Sequence, residues 1–248
     1  MEDTLTWLQK SVWSDQPDLW KRIYLFNWLL PEYVHASHLE SWINPEMAKA
    51  CTEDSKSYSL LCRALLIHVG LLNAFDFDFQ DLKKRLAFIE SSVLDALLLH
   101  IGVALLSQRI GQVIGKSDRM ELEKKITPQA YAFALRRAPF LKELFPQIEL
   151  PHTLDLMDDI KVSACRVLET CFANESNAFK ARLALRFSNR YNFNFSRKAS
   201  SELSQKCWVF IHRILVKEVA PSVESIFKAP AEEAPESPVE KEENTPAP

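Results

Sequence analysis

The segment RIGQVIGKSD, from Arg109 to Asp118, has the residue types of a phosphate-binding loop. It contains Gly-Lys-Ser, but three residues separate Gly111 from Gly115, whereas a phosphate loop has four residues between its glycines. The number matters because successive backbone N–H groups must curl around the phosphate. The segment also follows the helical pattern ALLSQRI, whereas a phosphate loop follows a buried strand. The sequence therefore predicts a turn between two helices with a glycine C-cap, and no nucleotide or other cofactor.

The histidine, cysteine and carboxylate residues lack the spacing of a metal site or a catalytic centre. His35 and His38 could share a helix face, but no Cys-x-x-Cys pattern of a structural zinc site accompanies them. Asp158 and Asp159 are neighbours in a predicted helix, where their side chains point about 100° apart, and we expect both to be solvated. Most of the cysteines lie in apolar helical stretches, where a thiol behaves as a small hydrophobic group. The sequence therefore predicts no metal ligands, no catalytic residues and no enzyme activity.

The composition is typical of a helical protein that stays in the cytoplasm. The chain has 248 residues, of which 47% are hydrophobic and only four are glycine, which argues against β-rich and dinucleotide-binding folds. Its net charge of −3 does not provide the basic surface of a nucleic-acid-binding protein. The longest apolar run, VLDALLLHIGVALL, is shorter than the about 20 residues that cross a bilayer. The first residues are acidic, whereas a signal peptide starts with basic residues.

Apolar residues recur at helical spacing along nearly the whole chain. The segment YSLLCRALLIHVGLLNAF is apolar nearly all round, which predicts a central buried helix. Three helix starts carry capping residues, namely Ser37 with Glu40, Ser92 with Asp95, and Thr127 before a proline. Further helices are predicted over 17–30, 81–90, 92–108, 127–137, 153–172, 177–187 and 200–220.

Two segments depart from the helical pattern. In RFSNRYNFNF, aromatic residues alternate with polar ones, which predicts an extended segment near 187–195, either a connector packed on helices or one β-strand. The last twenty residues contain six glutamates and five prolines, a composition that cannot form a core. The sequence therefore predicts an all-α fold with one compact multi-helix domain over 1–228 and a disordered acidic tail over 229–248.

Several short stretches occur together in an order that characterises one protein family. The longest is HRILVKEVAPSVESIFK, from His212 to Lys228. Four shorter stretches accompany it: LLCR at 60–63, RLALRF at 182–187, Leu-Trp-Lys with a following isoleucine at 19–23, and Ser-His-Leu at 37–39. With these stretches the sequence resembles the SctK family of type III secretion proteins, which includes YscK and PscK.

The resemblance extends from Pro17 to Lys228, whereas segment 109–126 and the acidic tail have no counterpart in the family. It implies a non-catalytic adaptor of the cytoplasmic sorting platform, located at the cytosolic face of the inner membrane. This adaptor would join the cytoplasmic domain of the ring protein SctD to the pod protein SctQ, and indirectly to the stator SctL and the ATPase SctN. Neither nucleic-acid binding nor membrane insertion is implied. The residues alone leave two alternative functions open. One is a type III secretion chaperone or other helical interaction protein, and the other is a small helical enzyme with a dispersed site.

An adaptor needs two docking surfaces of about 800 Å² each, usually with aromatic anchors. Tryptophan and phenylalanine side chains near both ends of the chain suit that purpose, although the same residues could form core. We expect charged replacements of Ile226 and Phe227 to weaken association with the pod protein while leaving the helices intact. The candidate partner-binding residues are Trp208, Leu215, Ile226 and Phe227 in the last helix and its terminal turn, and Trp7 and Trp13 near the start.

Overall fold

The chain folds into α-helices that are joined by 3₁₀ turns and irregular loops, and the computed structural model describes residues 17–153 and 155–228. Helices α1 to α5 are Pro17–Trp28, Leu30–Tyr33, Ala36–Trp42, Pro45–Thr52 and Ser55–His68. Helices α6 to α9 are Ser91–Leu105, Ser107–Gly111, Lys116–Ile126 and Pro128–Arg136. Helices α10 to α12 are Leu156–Cys171, Asn177–Ala184 and Ser201–Ile214. The 3₁₀ turns are Leu82–Phe88, Ala138–Leu144 and Pro221–Phe227, and a π-helical turn covers Leu215–Val219.

The prediction of an all-α fold is confirmed, since residues 17–153 and 155–228 contain no β-strand. Of the two structures predicted for the segment near 187–195, a connector packed on helices and a β-strand, the structure has the connector. The ring of Phe193 packs against those of Phe187 and Phe195, with centroids 5.1 and 5.5 Å apart. None of the described helices combines the length and the apolar composition that crossing a bilayer requires.

Helix α6 forms the centre of the core. Its residues Leu94, Leu97, Leu98 and Ile101 are fully buried, and the helix packs against α10 and α9, while α10 packs in turn against α12. Burial of one such leucine or isoleucine side chain contributes about 1.5–3 kcal/mol. At Gly102 the backbone of α6 comes so close to α10 that no side chain fits between them. This crossing fixes the distance between the two central helices.

Helix α5 is not the central helix that its apolar pattern predicts. Cys62, Leu65 and Leu66 face the core, but Leu60 and Ile67 are 67% and 57% exposed. The helix lies at the periphery, where it packs against α4, α2 and α1. Its apolar residues therefore form an outer surface as well as a core face.

Two predicted helices end or change type because of particular residues. The helix predicted over 17–30 is interrupted at Leu29, since Pro31 has no N–H to donate to the preceding turn. The segment predicted as a helix over 81–90 contains a 3₁₀ turn instead. The side chains of Lys84 and Arg85 in that turn are both buried, where Lys84 pairs with Asp76 and Arg85 donates to the carbonyl of Phe79.

The last predicted helix, over 200–220, is regular only as far as Ile214. The π-helical turn that follows was not predicted, and it ends before Pro221, where the sequence predicts an interruption. The hydrogen bond of this turn joins the Ala220 N–H to the Leu215 carbonyl, five residues apart, which is one residue more than in an α-helix. This turn therefore rotates the terminal 3₁₀ segment relative to the face of α12.

One of the three predicted helix caps is confirmed. The Thr127 hydroxyl accepts a hydrogen bond from the backbone N–H of Ala130 at the start of α9, at 3.3 Å. At α3 the cap is His35 rather than Ser37, and the His35 ring accepts a hydrogen bond from the Ser37 N–H at 3.1 Å. Helix α6 starts without a side-chain cap, so that Ser92 does not have the predicted role.

Candidate interaction surfaces

The phosphate-loop-like segment joins two helices, as predicted, but neither glycine is a helix C-cap. Gly111 ends α7 and Gly115 precedes α8, and neither has the positive φ of a glycine cap. The Asp118 carboxylate folds back over Gly115, with Oδ2 2.6 Å from the position that a Cβ would occupy. A carboxylate at the N-terminal end of α8 takes the place where a helix would bind a phosphate and repels that anion.

Asp159 is a buried structural residue, which corrects the prediction that it is solvated. Its carboxylate accepts hydrogen bonds from Arg109 at 2.5 Å and from the backbone N–H of Thr153 at 2.9 Å. Burial raises the pKa of Asp159, but the hydrogen bonds from Arg109 and Thr153 outweigh burial and hold it below the ordinary value. The side chain thereby joins the end of α7 to the start of α10. Asp158 is exposed, as predicted.

Asp159→Asn is expected to lower the free energy of unfolding by about 2 kcal/mol at neutral pH, because a charged hydrogen-bond pair is lost. A carboxyl with a depressed pKa in the folded state stabilises the protein above its unfolded-state pKa. That contribution is lost as the pH falls through the depressed folded-state pKa. The variant should therefore lose less stability than the parent between pH 5 and pH 2 or so. Urea unfolding across this range measures the difference, and parallel curves would contradict the assignment.

Four of the five cysteines are buried thiols, and Cys51 is half-buried. Burial raises the pKa of both Cys165 and Cys207 to about 12, and it raises the pKa of Cys171 as well. A nucleophilic cysteine needs the opposite shift. Among the described residues, no three histidine, cysteine, aspartate or glutamate side chains are close enough to hold a metal ion.

A buried arginine joins four segments of the chain. Arg182 of α11 is fully buried, and no described carboxylate forms a salt bridge with it. The rings of Phe26 and Phe75 lie 5.9 and 6.0 Å from its guanidinium carbon, close enough for a cation–π contribution. The guanidinium donates hydrogen bonds of 3.0–3.1 Å to the carbonyl oxygens of Phe26, Leu71 and Ala74 and to the hydroxyl of Tyr33.

Two further arginines bind backbone carbonyls in the same way. Arg186 donates to the carbonyls of Tyr33 and Ile89, and burial lowers its pKa to about 10. Arg85 donates to the carbonyls of Ile226 and Lys228 at 3.1 Å. The stretch RLALRF, which the sequence predicts as part of a helix over 177–187, therefore contains two arginines that bind backbone carbonyls of distant segments.

A second polar contact fixes the loop over 69–81, which follows α5. The Asn27 side chain donates to the carbonyl of Asp76 at 2.7 Å and accepts from its N–H at 2.9 Å. The Asp76 carboxylate in turn accepts from Lys84 at 2.6 Å and from Ser176 at 2.5 Å. Because these contacts hold Asp76 inward, they also fix the backbone of the two residues that flank it, Phe75 and Phe77.

The Phe75 ring of the fixed loop packs against Trp28 of α1, and the same loop borders Ile67 at the end of α5. We term this region the aromatic surface and define it by Tyr24, Trp28, Leu60, Ile67 and Phe75, where Leu60 lies two turns before Ile67 on the same face of α5. The Trp28 ring lies 5.1 Å from Tyr24 and 5.2 Å from Phe75. Tyr24 and Phe75 are 38% and 37% exposed, and Leu60 and Ile67 more so. A shallow hollow of about 410 Å³ lies between α5 and the loop and is lined by Ile67, Gly70, Leu72, Asn73 and Ala74.

A second exposed apolar site is the 3₁₀ turn Ala138–Leu144, which we term the Phe140 turn. Phe140 is 86% exposed, whereas Ala138 in the same turn is fully buried. The salt bridge from Arg137 to Glu218, at 2.7 Å, connects the start of this turn to the π-helical turn Leu215–Val219. We term residues 215–227 the C-terminal segment, and the salt bridge places the Phe140 turn beside its π-helical part.

The predicted partner-binding residues differ in accessibility. Trp208 and Ile226 are half-buried, whereas Leu215 is fully buried and Phe227 is 7% exposed. The Phe227 ring packs against Trp208, at 5.4 Å between centroids. Leu215 and Phe227 thus support the C-terminal segment from inside, and a charged residue at Phe227 would disturb folding as well as binding. The predictions for Trp7 and Trp13 lie outside the described residues.

Comparison with known proteins identifies one family. Residues 22–228 match the family model described as YOP proteins translocation protein K (YscK). No curated protein and no solved structure matches the chain. The matched range includes the whole Phe140 turn and all five residues of the aromatic surface, and it excludes the acidic tail.

Proposed function

Because this chain belongs to the YscK family of type III secretion components, we propose that it is a non-catalytic adaptor of the cytoplasmic sorting platform. In this proposal it joins the cytoplasmic domain of the SctD-type ring protein to the SctQ-type pod protein at the cytosolic face of the inner membrane. The stator SctL and the ATPase SctN are reached only through the pod protein. The aromatic surface binds the ring protein, and the side with the Phe140 turn and the C-terminal segment binds the pod protein.

One observation carries the proposal: α5 exposes apolar side chains to solvent although it belongs to a well-packed helical body. Leu60 and Ile67 lie seven residues apart, two turns along one helix face, and both are more than half exposed. Exposed apolar residues that lie singly are common, but contiguous patches with aromatic members mark interaction sites. The hydrogen bonds of Asn27 and Arg182 hold the loop of Phe75 in place, so that the patch is formed before a partner binds. A preformed surface loses less conformational entropy on binding.

Ile67→Asp is expected to weaken binding of the ring protein's cytoplasmic domain at least about tenfold, because a charge replaces an apolar contact in a patch that the partner must desolvate. Binding of the pod protein should be unchanged. Since Ile67 is 57% exposed, the free energy of unfolding should stay within about 0.5 kcal/mol of the parent. Calorimetric titration with each purified neighbour measures both affinities.

Met120→Asp is the matched control, because Met120 is 62% exposed on α8 and lies outside both surfaces. Equal loss of binding in the two variants would indicate a general charge effect and contradict the role of the aromatic surface. A parent protein that binds neither neighbour would reject the adaptor function itself.

A further inference from the structure

Phe140 has the highest exposure of the large apolar side chains in the described part of the chain, at 86%. The exposure is not caused by a loose loop. Ala138 is fully buried, and Leu141 and Leu144 pack against the core from the same turn. Pro139 fixes one backbone dihedral beside Phe140, and the Phe140 N–H donates to the carbonyl of Arg137 at 3.0 Å. The fold therefore presents this ring to solvent from a rigid base.

Basic residues flank Phe140 in the sequence. Arg136, Arg137 and Lys142 are all exposed, and the only carboxylate within that stretch or next to it in sequence is Glu143. Arg137 is paired with Glu218, while no described residue forms a salt bridge with Arg136 or Lys142. The turn and the end of α9 thus combine one apolar anchor with two cations that form no described salt bridge and that outnumber the exposed Glu143, whereas the chain as a whole has a net charge of −3.

We propose that the Phe140 turn is a docking anchor for a protein partner that offers an apolar pocket with a rim of carboxylates. Phe140 enters the pocket, and Arg136 and Lys142 pair with the rim. This inference rests on the proposed adaptor function and specifies its C-terminal side, where the Arg137–Glu218 salt bridge joins the turn to the π-helical segment. Aromatic and arginine side chains are the residues that most often dominate binding energies at interfaces.

An anionic membrane is the other surface that attracts cations and apolar side chains, and the observations favour a protein. Membrane-bound helices have a continuous apolar face with several large residues and a basic opposite face. The Phe140 turn exposes one ring and packs its other large apolar residues against the protein core. A single ring on a rigid turn suits a pocket of defined shape.

The test compares Phe140→Ala with the charge reversal Arg136→Glu/Lys142→Glu in the full chain. Each is expected to weaken binding to the pod protein at least about tenfold, and the effect of the charge reversal should shrink as the salt concentration rises. Calorimetric titrations with the purified pod protein and with the ring protein's cytoplasmic domain measure the affinities. Circular dichroism should be unchanged in both variants, because the replaced side chains are exposed.

Met120→Ala, which removes another exposed apolar side chain, 62% accessible on α8, should not change either affinity. Loss of binding to the ring protein instead of the pod protein would support the anchor, but it would mean that the Phe140 turn binds the ring protein and the aromatic surface binds the pod protein. Unchanged affinities for both neighbours in Phe140→Ala would overturn the inference while the adaptor function stands. Phe140-dependent binding to vesicles of phosphatidylcholine and phosphatidylglycerol, without an effect on either protein, would overturn it in favour of a membrane contact.

Discussion

Arg182→Met is expected to lower the free energy of unfolding by about 4 kcal/mol and the melting temperature by roughly 8–16 °C. The replacement keeps much of the aliphatic volume but removes all five N–H donors. Three carbonyl oxygens and the Tyr33 hydroxyl then lose their partner in the interior. A buried acceptor without a partner costs about 1–3 kcal/mol, and part of this cost is offset because no charge has to be buried.

Arg182→Lys separates the charge from the geometry. Lysine retains the positive charge, but its single nitrogen cannot reach acceptors that lie on three sides of a planar guanidinium. We expect a loss of about 3 kcal/mol for this variant. Arg213→Met is the control, because Arg213 is exposed on α12 and its replacement should change stability by less than about 0.5 kcal/mol.

Urea unfolding followed by circular dichroism measures these differences. A lysine variant as stable as the parent would show that the charge alone matters and that the hydrogen bonds to the loop do not. The same variants test the aromatic surface, because Arg182 binds the carbonyls of Leu71 and Ala74 in the loop that carries Phe75. At a temperature where the lysine variant is still folded, its affinity for the ring protein should fall while that for the pod protein is retained.

The burial of Arg182 could have been inferred from its position in the helix. Phe179, Arg182, Leu183 and Arg186 lie at spacings of three and four residues, which places both arginines on the same face as the buried apolar residues. The sequence alone does not reveal their acceptors, because the carbonyls belong to segments more than 90 residues away in the chain. Helical periodicity identifies the inward face, and only the tertiary structure identifies what a polar residue on that face binds.

Helix α5 illustrates the opposite limit. Its apolar residues surround the helix, and periodicity assigns such a pattern to the centre of a protein. In the structure the same residues divide between a core face and the aromatic surface, because the central position is taken by α6. A residue that is apolar for the sake of a partner has the same type as one that is apolar for the core. Sequence patterns therefore predicted the helical fold but placed the candidate surfaces at the chain ends.

Local signals were more reliable where one residue decides the backbone. Thr127 followed by Pro128 predicts the start of α9, and the structure has that cap. At α3, Ser37 and Glu40 have the spacing of a capping box, yet the ring of His35 takes the capping role two residues earlier. Two competing hydrogen-bond acceptors within three residues cannot be ranked from sequence, since their geometry depends on how the chain enters the helix.

Gly102→Ala is expected to lower the free energy of unfolding by about 3 kcal/mol, in spite of the higher helix propensity of alanine. An added Cβ would lie 2.8 Å from Cγ2 of Ile160 and closer still to its carbonyl oxygen. The carbonyl belongs to the backbone of α10 and cannot rotate away. The two central helices would therefore have to move apart, and the packing of α6 against α10 would be lost along the crossing.

Gly111→Ala provides the matched comparison within the same pair of consecutive helices. Its added Cβ would have only the Leu135 side chain nearby, at 3.9 Å, and its backbone has no positive φ. Alanine should therefore be neutral or stabilise the protein by up to about 1 kcal/mol. Thermal unfolding should show a large loss of stability for Gly102→Ala and no loss for Gly111→Ala if the α6–α10 crossing determines the core spacing. Equal and small changes would mean that the core can absorb a methyl group at Gly102 and that the crossing is not rigid.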